Sequence, residues 1–349
     1  MTTDQNPNIT RLDSLQSEYD TLQRDISFDE LLNEVSEVTR KVATLPDNIT
    51  RARGRGYAFA AYLERKAELL DKRWDEMRQQ VQRTIQSENY RTRAAFDDVR
   101  ERMQKANIYR AKPTGLDSLL PEIEREINVL RGQVDTVQSR LQNEYSTLKT
   151  DIDQTVAQLH NIHWVLDQMD EASFKLNAGE AVFLAAQAEH QATGRGKDDP
   201  DGILYLTDHR LIFEQKETTG KTLGLFGGKK VQELEWEIPL NKIDSVIPEN
   251  KGFLGGKDIL QFTFKPGAAL SKAQIEVKGG VQAKFWATEI DRMLTSGATD
   301  ERAVQADAET RESIRNAPTA CPICGATLPQ LVANQNQIEC EYCGSVIRI

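Results

Sequence analysis

The chain has 349 residues, of which 39% are hydrophobic and 28% charged, and its formal net charge is −10. This polar composition is typical of a chain with much solvated helix, and the length predicts two or three domains. The overall acidity argues against a general nucleic-acid-binding protein. No apolar run approaches the roughly 18 residues of a membrane-spanning helix, and the N-terminus lacks the apolar segment of a signal peptide. We therefore expect a soluble cytoplasmic protein, with any membrane contact peripheral.

The first half of the sequence is predicted to be helical. Residues 1–9 have the composition of a disordered tail, and residues 10–176 show almost no strand pattern. Between Ile123 and Leu141, apolar residues recur with the 3.5-residue period of a coiled coil. A turn within residues 107–117 is expected to fold two long helices into an antiparallel hairpin. A shorter, more compact bundle is the alternative, because residues 10–45 add two further helices.

Charge is distributed unevenly over these helices. Residues 40–112 carry a net charge of +8, whereas residues 113–176 carry −6. Pairing of the two helices would satisfy this basic block internally. The alternative is a nucleic-acid-associated regulator that uses the basic block 40–112 together with the zinc ribbon described below. Pro46 is expected to end a helix, and His163 is expected to lie at a helix interface instead of binding a metal.

The sequence pattern changes from helical to strand-like near Gly179. About seven short apolar runs, separated by polar loops, predict seven strands between residues 181 and 278. A helix over residues 281–294 follows, with Phe285, Ile290, Met293 and Leu294 expected to face the sheet. Residues 296–317 are predicted to be a polar linker.

One hairpin in this region resembles a known family. The residues that carry the resemblance are Gly202, Leu204, Tyr205, Leu206, Thr207, Arg210, Leu211 and Phe213, echoed by Ile238-Pro239-Leu240 and by Ile243 with Val246. They resemble the GRAM and bacterial pleckstrin-homology-like families over roughly residues 178–295. The resemblance implies a seven-stranded barrel capped by a helix. It also implies a binding role towards phosphoinositides, other anionic lipids or proteins.

The hairpin residues have structural expectations of their own. Tyr205 and Phe213 are expected in the core. Asp208 and His209 are expected to form a tight turn. Arg210 is expected at the turn or strand edge, where it could alternatively touch an anionic headgroup.

Two loops, at residues 218–232 and 250–258, place Leu and Phe beside Gly-Gly-Lys. Exposed apolar tips flanked by lysines suit an anionic membrane surface. The alternatives are packing of the two phenylalanines on each other or on the helices, and contact with another protein. The candidate contact residues are Leu225, Phe226, Lys229, Lys230, Lys251, Phe253, Leu254 and Lys257.

The last segment, residues 318–349, contains all four cysteines. Cys321 and Cys324 are separated by 15 residues from Cys340 and Cys343, which is the spacing of a zinc site. Four thiolates complete a tetrahedral shell, so this Zn²⁺ would be structural. The tail resembles a zinc ribbon. Its lack of cations before Arg348 favours protein docking over nucleic acid.

The predicted architecture is a multidomain α + β chain: helical hairpin, pleckstrin-homology-like barrel and zinc ribbon. No arrangement of residues resembles a catalytic site. We therefore expect a non-enzymatic adaptor or scaffold, with a protein partner or an anionic membrane surface at the barrel and self-association through the helices.

Overall fold

The computed structural model describes residues 6–194, 199–219, 229–251, 256–295, 302–304, 318, 320–326, 328, 337–340 and 342–348. The chain divides into two compact units. The first unit comprises Met1–Pro46 and Arg65–Ala157, and the second comprises Asp47–Glu64 and Gln158–Ile349.

Four helices precede the sheet. Their bounds are α1 Pro7–Asp25, α2 Asp29–Gly54, α3 Leu63–Ile108 and α4 Leu119–Asp170. α1 begins within the expected tail because Pro7 suits a first helical position and the Asn6 side chain accepts a hydrogen bond from the amide of Asn8. None of the helices in the described part of the chain is long and apolar enough to cross a membrane.

Pro46 does not end a helix, contrary to expectation, because it lies inside α2. Proline removes one amide donor from a helix, which normally favours termination. Here the preceding turns bury Val38, Val42 and Leu45 on one face. This packing holds the helical register across the proline.

In the first unit, α3 and α4 run antiparallel, as predicted. Trp74 on α3 meets Tyr145 on α4 edge to face, with ring centroids 5.9 Å apart. Towards the turn between the helices, Arg102 Nη1 lies 3.0 Å from a carboxylate oxygen of Glu122. The supercoil of a coiled coil stays a prediction.

A third helical layer accompanies this hairpin. Glu18 on α1 lies 3.1 Å from Arg131 on α4, and Lys41 on α2 lies 2.9 Å from Asp153 on α4. Arg11 on α1 also pairs with Glu124, and Glu34 on α2 lies 3.8 Å from Lys149, so along each of these helices the partner on α4 moves forward with the chain. Both helices therefore run parallel to α4. The long antiparallel hairpin is therefore present as predicted, with helices of 46 and 52 residues, and α1 and α2 lie along it as a further layer.

The second unit contains the predicted seven strands. Their bounds are β1 Val182–His190, β2 Asp201–Thr207, β3 Arg210–Thr219, β4 Lys229–Pro239, β5 Ile243–Lys251, β6 Lys257–Phe264 and β7 Lys272–Val277. All neighbours are antiparallel, in the order β4-β3-β2-β1-β7-β6-β5. Helix α5, Ala283–Leu294, follows β7. This confirms the predicted seven antiparallel strands followed by a helix, and "the barrel" hereafter means β1–β7 with α5.

The core of the barrel contains the predicted aromatic residues. Tyr205 and Phe213 are fully buried, and Trp236 stacks on Phe213 with centroids 5.8 Å apart. Gly202 is required where β2 meets β3, because a Cβ there would lie 2.0 Å from the carbonyl oxygen of Glu214.

The predicted face of α5 was wrong at two positions. Phe285 is 47% exposed and Leu294 is 38% exposed. Ile290 and Met293 are buried, as expected, and Trp286 is buried as well. Their i, i+4, i+7 spacing forms one stripe, from which Phe285 is displaced by about 100°.

Candidate metal centre

The four cysteines converge. Their Sγ atoms all lie within 4.8 Å of one another. Across the two pairs, Cys321 Sγ lies 3.7 Å from Cys343 Sγ, and Cys324 Sγ lies 3.6 Å from Cys340 Sγ. A tetrahedron of sulfurs with metal–sulfur bonds of about 2.3 Å has edges of about 3.8 Å. The cluster therefore fits a four-thiolate metal ion such as zinc.

Each cysteine pair forms a tight loop, called a knuckle below. The amide of Gly325 donates to the carbonyl of Cys321 at 2.8 Å, and that of Gly344 donates to Cys340 at 2.8 Å. Gly325 has φ +74° and Gly344 has φ +70°. A side chain at either position would strain the backbone, which explains the glycine after each second cysteine.

Two short strands hold the second knuckle. They are β8, Gln337–Glu339, and β9, Val346–Arg348, and they pair antiparallel with Ile338 opposite Ile347. Cys340 follows β8 directly. This hairpin therefore fixes the position of the second cysteine pair.

The ribbon has a small core that includes one residue from outside it. Cys321, Leu328, Ile338 and Cys340 are buried together with Ala178, which precedes β1. A linker was expected to separate the ribbon from the barrel. The structure instead seats the ribbon on the segment that leads into the sheet.

The thiols differ in their surroundings. Cys321 and Cys340 are buried, whereas Cys324 and Cys343 are exposed. The Ser345 hydroxyl lies 3.1 Å from Cys343 Sγ. Hydrogen bonding by the Ser345 side chain and amide lowers the pKa of the Cys343 thiol to about 6. The Ser345 contact thus favours the thiolate, the form that binds metal.

Part of the expected linker is also anchored. Arg302 Nη1 lies 2.7 Å from Asp208 Oδ2, and its guanidinium stands 5.5 Å from the centre of the Phe59 ring. The next residue, Ala303, donates its amide to the carbonyl of Ala58 at 2.7 Å. Within residues 296–317, the structure describes 302–304, and the other residues lie outside the described part of the chain.

Arg210 is the first residue of β3, directly after the turn, as expected, but its side chain is buried at the centre of an ion-pair cluster. Its Nε donates to Glu180 at 2.9 Å, and its Nη2 donates to the carbonyl of Lys175 at 2.7 Å. Glu237 is a further partner. The Glu180 side chain is completely buried, so Arg210 compensates a charge in the core. The expected tight turn at Asp208-His209 is present.

The two Gly-Gly-Lys loops are only partly described. Leu225, Phe226, Phe253 and Leu254 lie outside the described residues, as does the side chain of Lys229. Lys230 is exposed. The Lys251 ammonium lies 2.5 Å from Glu249, and that of Lys257 lies 2.5 Å from Glu276.

The basic block and His163 lie at helix contacts. Lys41, Arg73 and Arg102 each face a carboxylate of α4. The ring of His163 hydrogen-bonds at 3.1 Å to the carbonyl of Asn48. Internal pairing therefore accounts for part of the positive charge.

No family model matches this sequence, and no curated protein matches it. Among solved structures, it is similar to the N-terminal PH domain of Vps36, with 20% identity, 36% of this chain and 86% of that chain covered, and a TM-score of 0.23. It is similar to the DH/PH domains of PDZ-RhoGEF in complex with activated RhoA, with 10% identity, 78% and 94% covered, and a TM-score of 0.29. It is also similar to the DH/PH domains of p115-RhoGEF (R399E mutant), with 12% identity, 80% of this chain and 98% of that chain covered, and a TM-score of 0.23.

Proposed function

We propose that this protein is a non-enzymatic adaptor. The barrel contacts a membrane surface or a protein partner, the helices support assembly, and a structural zinc ribbon docks a protein. The four-cysteine cluster carries this proposal. Four thiolates complete the tetrahedral shell of Zn²⁺, which leaves no position for a water or a substrate.

The buried charges of the barrel support the same conclusion. Arg210 is compensated by Glu180 and Glu237, and Asp208 by Arg302. Pairs of this kind hold elements together and are costly to break. These buried charges stabilise the barrel, so we assign the recognition of a membrane or protein partner to exposed residues.

For the membrane contact we propose the two Gly-Gly-Lys loops. A lysine near an anionic surface contributes about 1 kcal/mol. Lys251 and Lys257 are about half exposed, and exposed ion pairs are weak, so their cations remain available to lipid. Phe226 and Phe253 would add apolar burial that salt does not screen.

Vesicle co-sedimentation tests this contact with the full zinc-loaded chain. Vesicles of phosphatidylcholine with phosphatidylserine should bind more protein than phosphatidylcholine alone. Rising salt should weaken the binding without abolishing it. Absence of binding to the acidic vesicles at low salt would contradict membrane contact.

A double variant, Phe226→Ser with Phe253→Ser, locates the contact. It should lose vesicle binding while its free energy of unfolding changes by no more than about 1 kcal/mol. Phe285→Ser is the matched control, because Phe285 is 47% exposed on α5. Loss of stability with vesicle binding unchanged would show that the loop phenylalanines are packing residues.

A further inference from the structure

An exposed leucine on α3 is surrounded by positive charge. Leu69 is 52% exposed. On a helix surface, the neighbours of a residue are those three and four positions away. All four such neighbours of Leu69 are cationic, and with it they form the Leu69 patch: Leu69, Arg65, Lys66, Lys72 and Arg73.

Two acidic residues of this helical stretch point elsewhere, whereas Glu76, seven positions after Leu69, lies on the same face beside Lys72 and Arg73. Glu68 and Asp71 are rotated from Leu69 by at least about 100°. Arg73 lies 3.9 Å from Asp151. Among the residues that the structure describes, Arg65, Lys66 and Lys72 have no carboxylate at ion-pair distance. The patch thus combines an apolar centre with available cations.

The ribbon has an exposed surface of the opposite character. Ile323 and Tyr342 each precede the second cysteine of a knuckle, and they are 74% and 82% exposed. Val346, at the start of β9, is 54% exposed. Because the four sulfurs are clustered, both knuckle tips lie at the same end of the ribbon. These three residues are called the knuckle patch.

The charge near the knuckle patch is acidic. Glu339 is exposed beside the second cysteine pair, and Glu341 lies within that pair in sequence. Arg348 is the single cation of residues 316–349. None of the three apolar side chains belongs to the ribbon core, so folding of the ribbon does not explain them.

We propose that the knuckle patch of one copy docks on the Leu69 patch of a second copy. The proposal rests on the docking role assigned to the ribbon above and names its partner. Leu69 would meet the apolar knuckle tips, while its ring of cations would face Glu339. The contact would explain the exposure of apolar side chains in both the Leu69 patch and the knuckle patch.

Other occupants fit one patch at most. Nucleic acid supplies negative charge to the Leu69 patch but offers no aliphatic surface to its centre. An acidic membrane suits the Leu69 patch but repels the knuckle patch. A second copy satisfies both. Reciprocal docking closes a dimer, and one-sided docking gives open chains.

The contact is expected to be weak and salt-sensitive. Three apolar side chains and a few ion pairs make less contact than a standard interface of about 1,600 Å². Sedimentation velocity of the full zinc-loaded chain over a concentration series should show reversible association at low salt that decreases as salt rises. A zinc-loaded chain that stays monomeric throughout would overturn the proposal.

Two single variants and their mixture identify the surfaces. Lys72→Glu and Tyr342→Ser should each lower the association constant about tenfold or more. A mixture of the two should associate again, because each variant retains the patch that the other has lost. Association unaffected by either variant, or absent from the mixture, would overturn the proposal.

Tyr90→Ser is the matched control for Tyr342→Ser, because both tyrosines are 82% exposed. It should leave association unchanged. Zinc content, measured on every variant, distinguishes a failure of the proposed function from a failure of the docking proposal. A ribbon without zinc would contradict the proposed function, whereas a zinc-loaded monomer would contradict only the docking on a second copy.

Discussion

Arg302 and Asp208 form a buried ion pair between the expected linker and the turn that joins β2 to β3. The two side chains are 14% and 4% exposed. Asp208 also accepts a hydrogen bond at 2.9 Å from the amide of Ala181. Burial raises the pKa of Asp208, so its charge depends on these partners.

Arg302→Ala should therefore destabilise the protein. It leaves the Asp208 carboxylate buried without its cation, which costs about 3–5 kcal/mol. Urea denaturation followed by tryptophan fluorescence measures the loss. Val304→Ser is the control, because Val304 is 49% exposed and two residues away. Equal, small effects of the two variants would show that residues 302–304 do not anchor the chain.

Arg210→Met should be similarly costly. The Glu180 side chain is fully buried, and two of the four described hydrogen bonds to its carboxylate come from Arg210. Removing the cation leaves an uncompensated carboxylate, with an expected loss of about 3–5 kcal/mol in the free energy of unfolding. The adjacent exposed residue provides a control, since His209→Ala should change stability by less than about 0.5 kcal/mol. An unchanged free energy of unfolding for Arg210→Met would refute the role assigned to this ion pair.

Sequence reasoning succeeded where a local pattern determines structure. The alternation in β2 and β3 predicts a hairpin with Tyr205 and Phe213 inside, and the structure confirms both. The cysteine and glycine spacing likewise predicts the two knuckles. In each case the determining residues lie within a few positions of one another.

The failures involve partners that are distant in sequence. The burial of the Arg210 side chain was not foreseen because its partner Glu180 lies 30 positions away. Arg302 looked like part of a polar linker because Asp208 lies 94 positions away. Arg302 is one of three arginines in residues 296–317, and the local sequence does not distinguish it from the other two. Ala178 gives no signal at all for its place under the ribbon.

Acid should weaken the loop that joins α2 to α3. Arg53 holds the carboxylate of Glu64 through hydrogen bonds of 2.8 and 3.2 Å. The hydrogen bond from Arg53 lowers the pKa of Glu64 below its usual value of 4.5. Because the folded-state pKa is depressed, the stabilisation is present above the unfolded pKa and is lost as pH falls through the folded pKa.

Glu64→Gln removes this dependence. Unfolding followed by circular dichroism from pH 7 to below pH 4 should show a shallower loss of stability on the acid side than the wild type shows. Glu68→Gln, on the same exposed helical turn, serves as the control and should retain the wild-type slope. If Glu64→Gln and the wild type lose stability equally as the pH falls, the Arg53–Glu64 pair is excluded as a source of the pH dependence.

Ser345→Ala should weaken metal binding without changing its stoichiometry. The hydroxyl supports the thiolate of Cys343, and loss of such a supporting hydrogen bond costs on the order of 10-fold or more in metal affinity. Competition with a chromophoric chelator gives the affinity. Thr295→Ala, remote from the cysteines in sequence, should leave the affinity unchanged. An unchanged affinity for Ser345→Ala would show that this contact does not tune the site.

The central claim is that the four cysteines form a closed, structural zinc centre. X-ray absorption at the zinc edge, on the purified full chain, tests it most directly. We predict about one zinc per chain, with a first shell of four sulfurs at about 2.3 Å and no lighter ligand. A shell containing an oxygen or nitrogen ligand, or fewer than four sulfurs, would contradict the closed site and the adaptor function based on it.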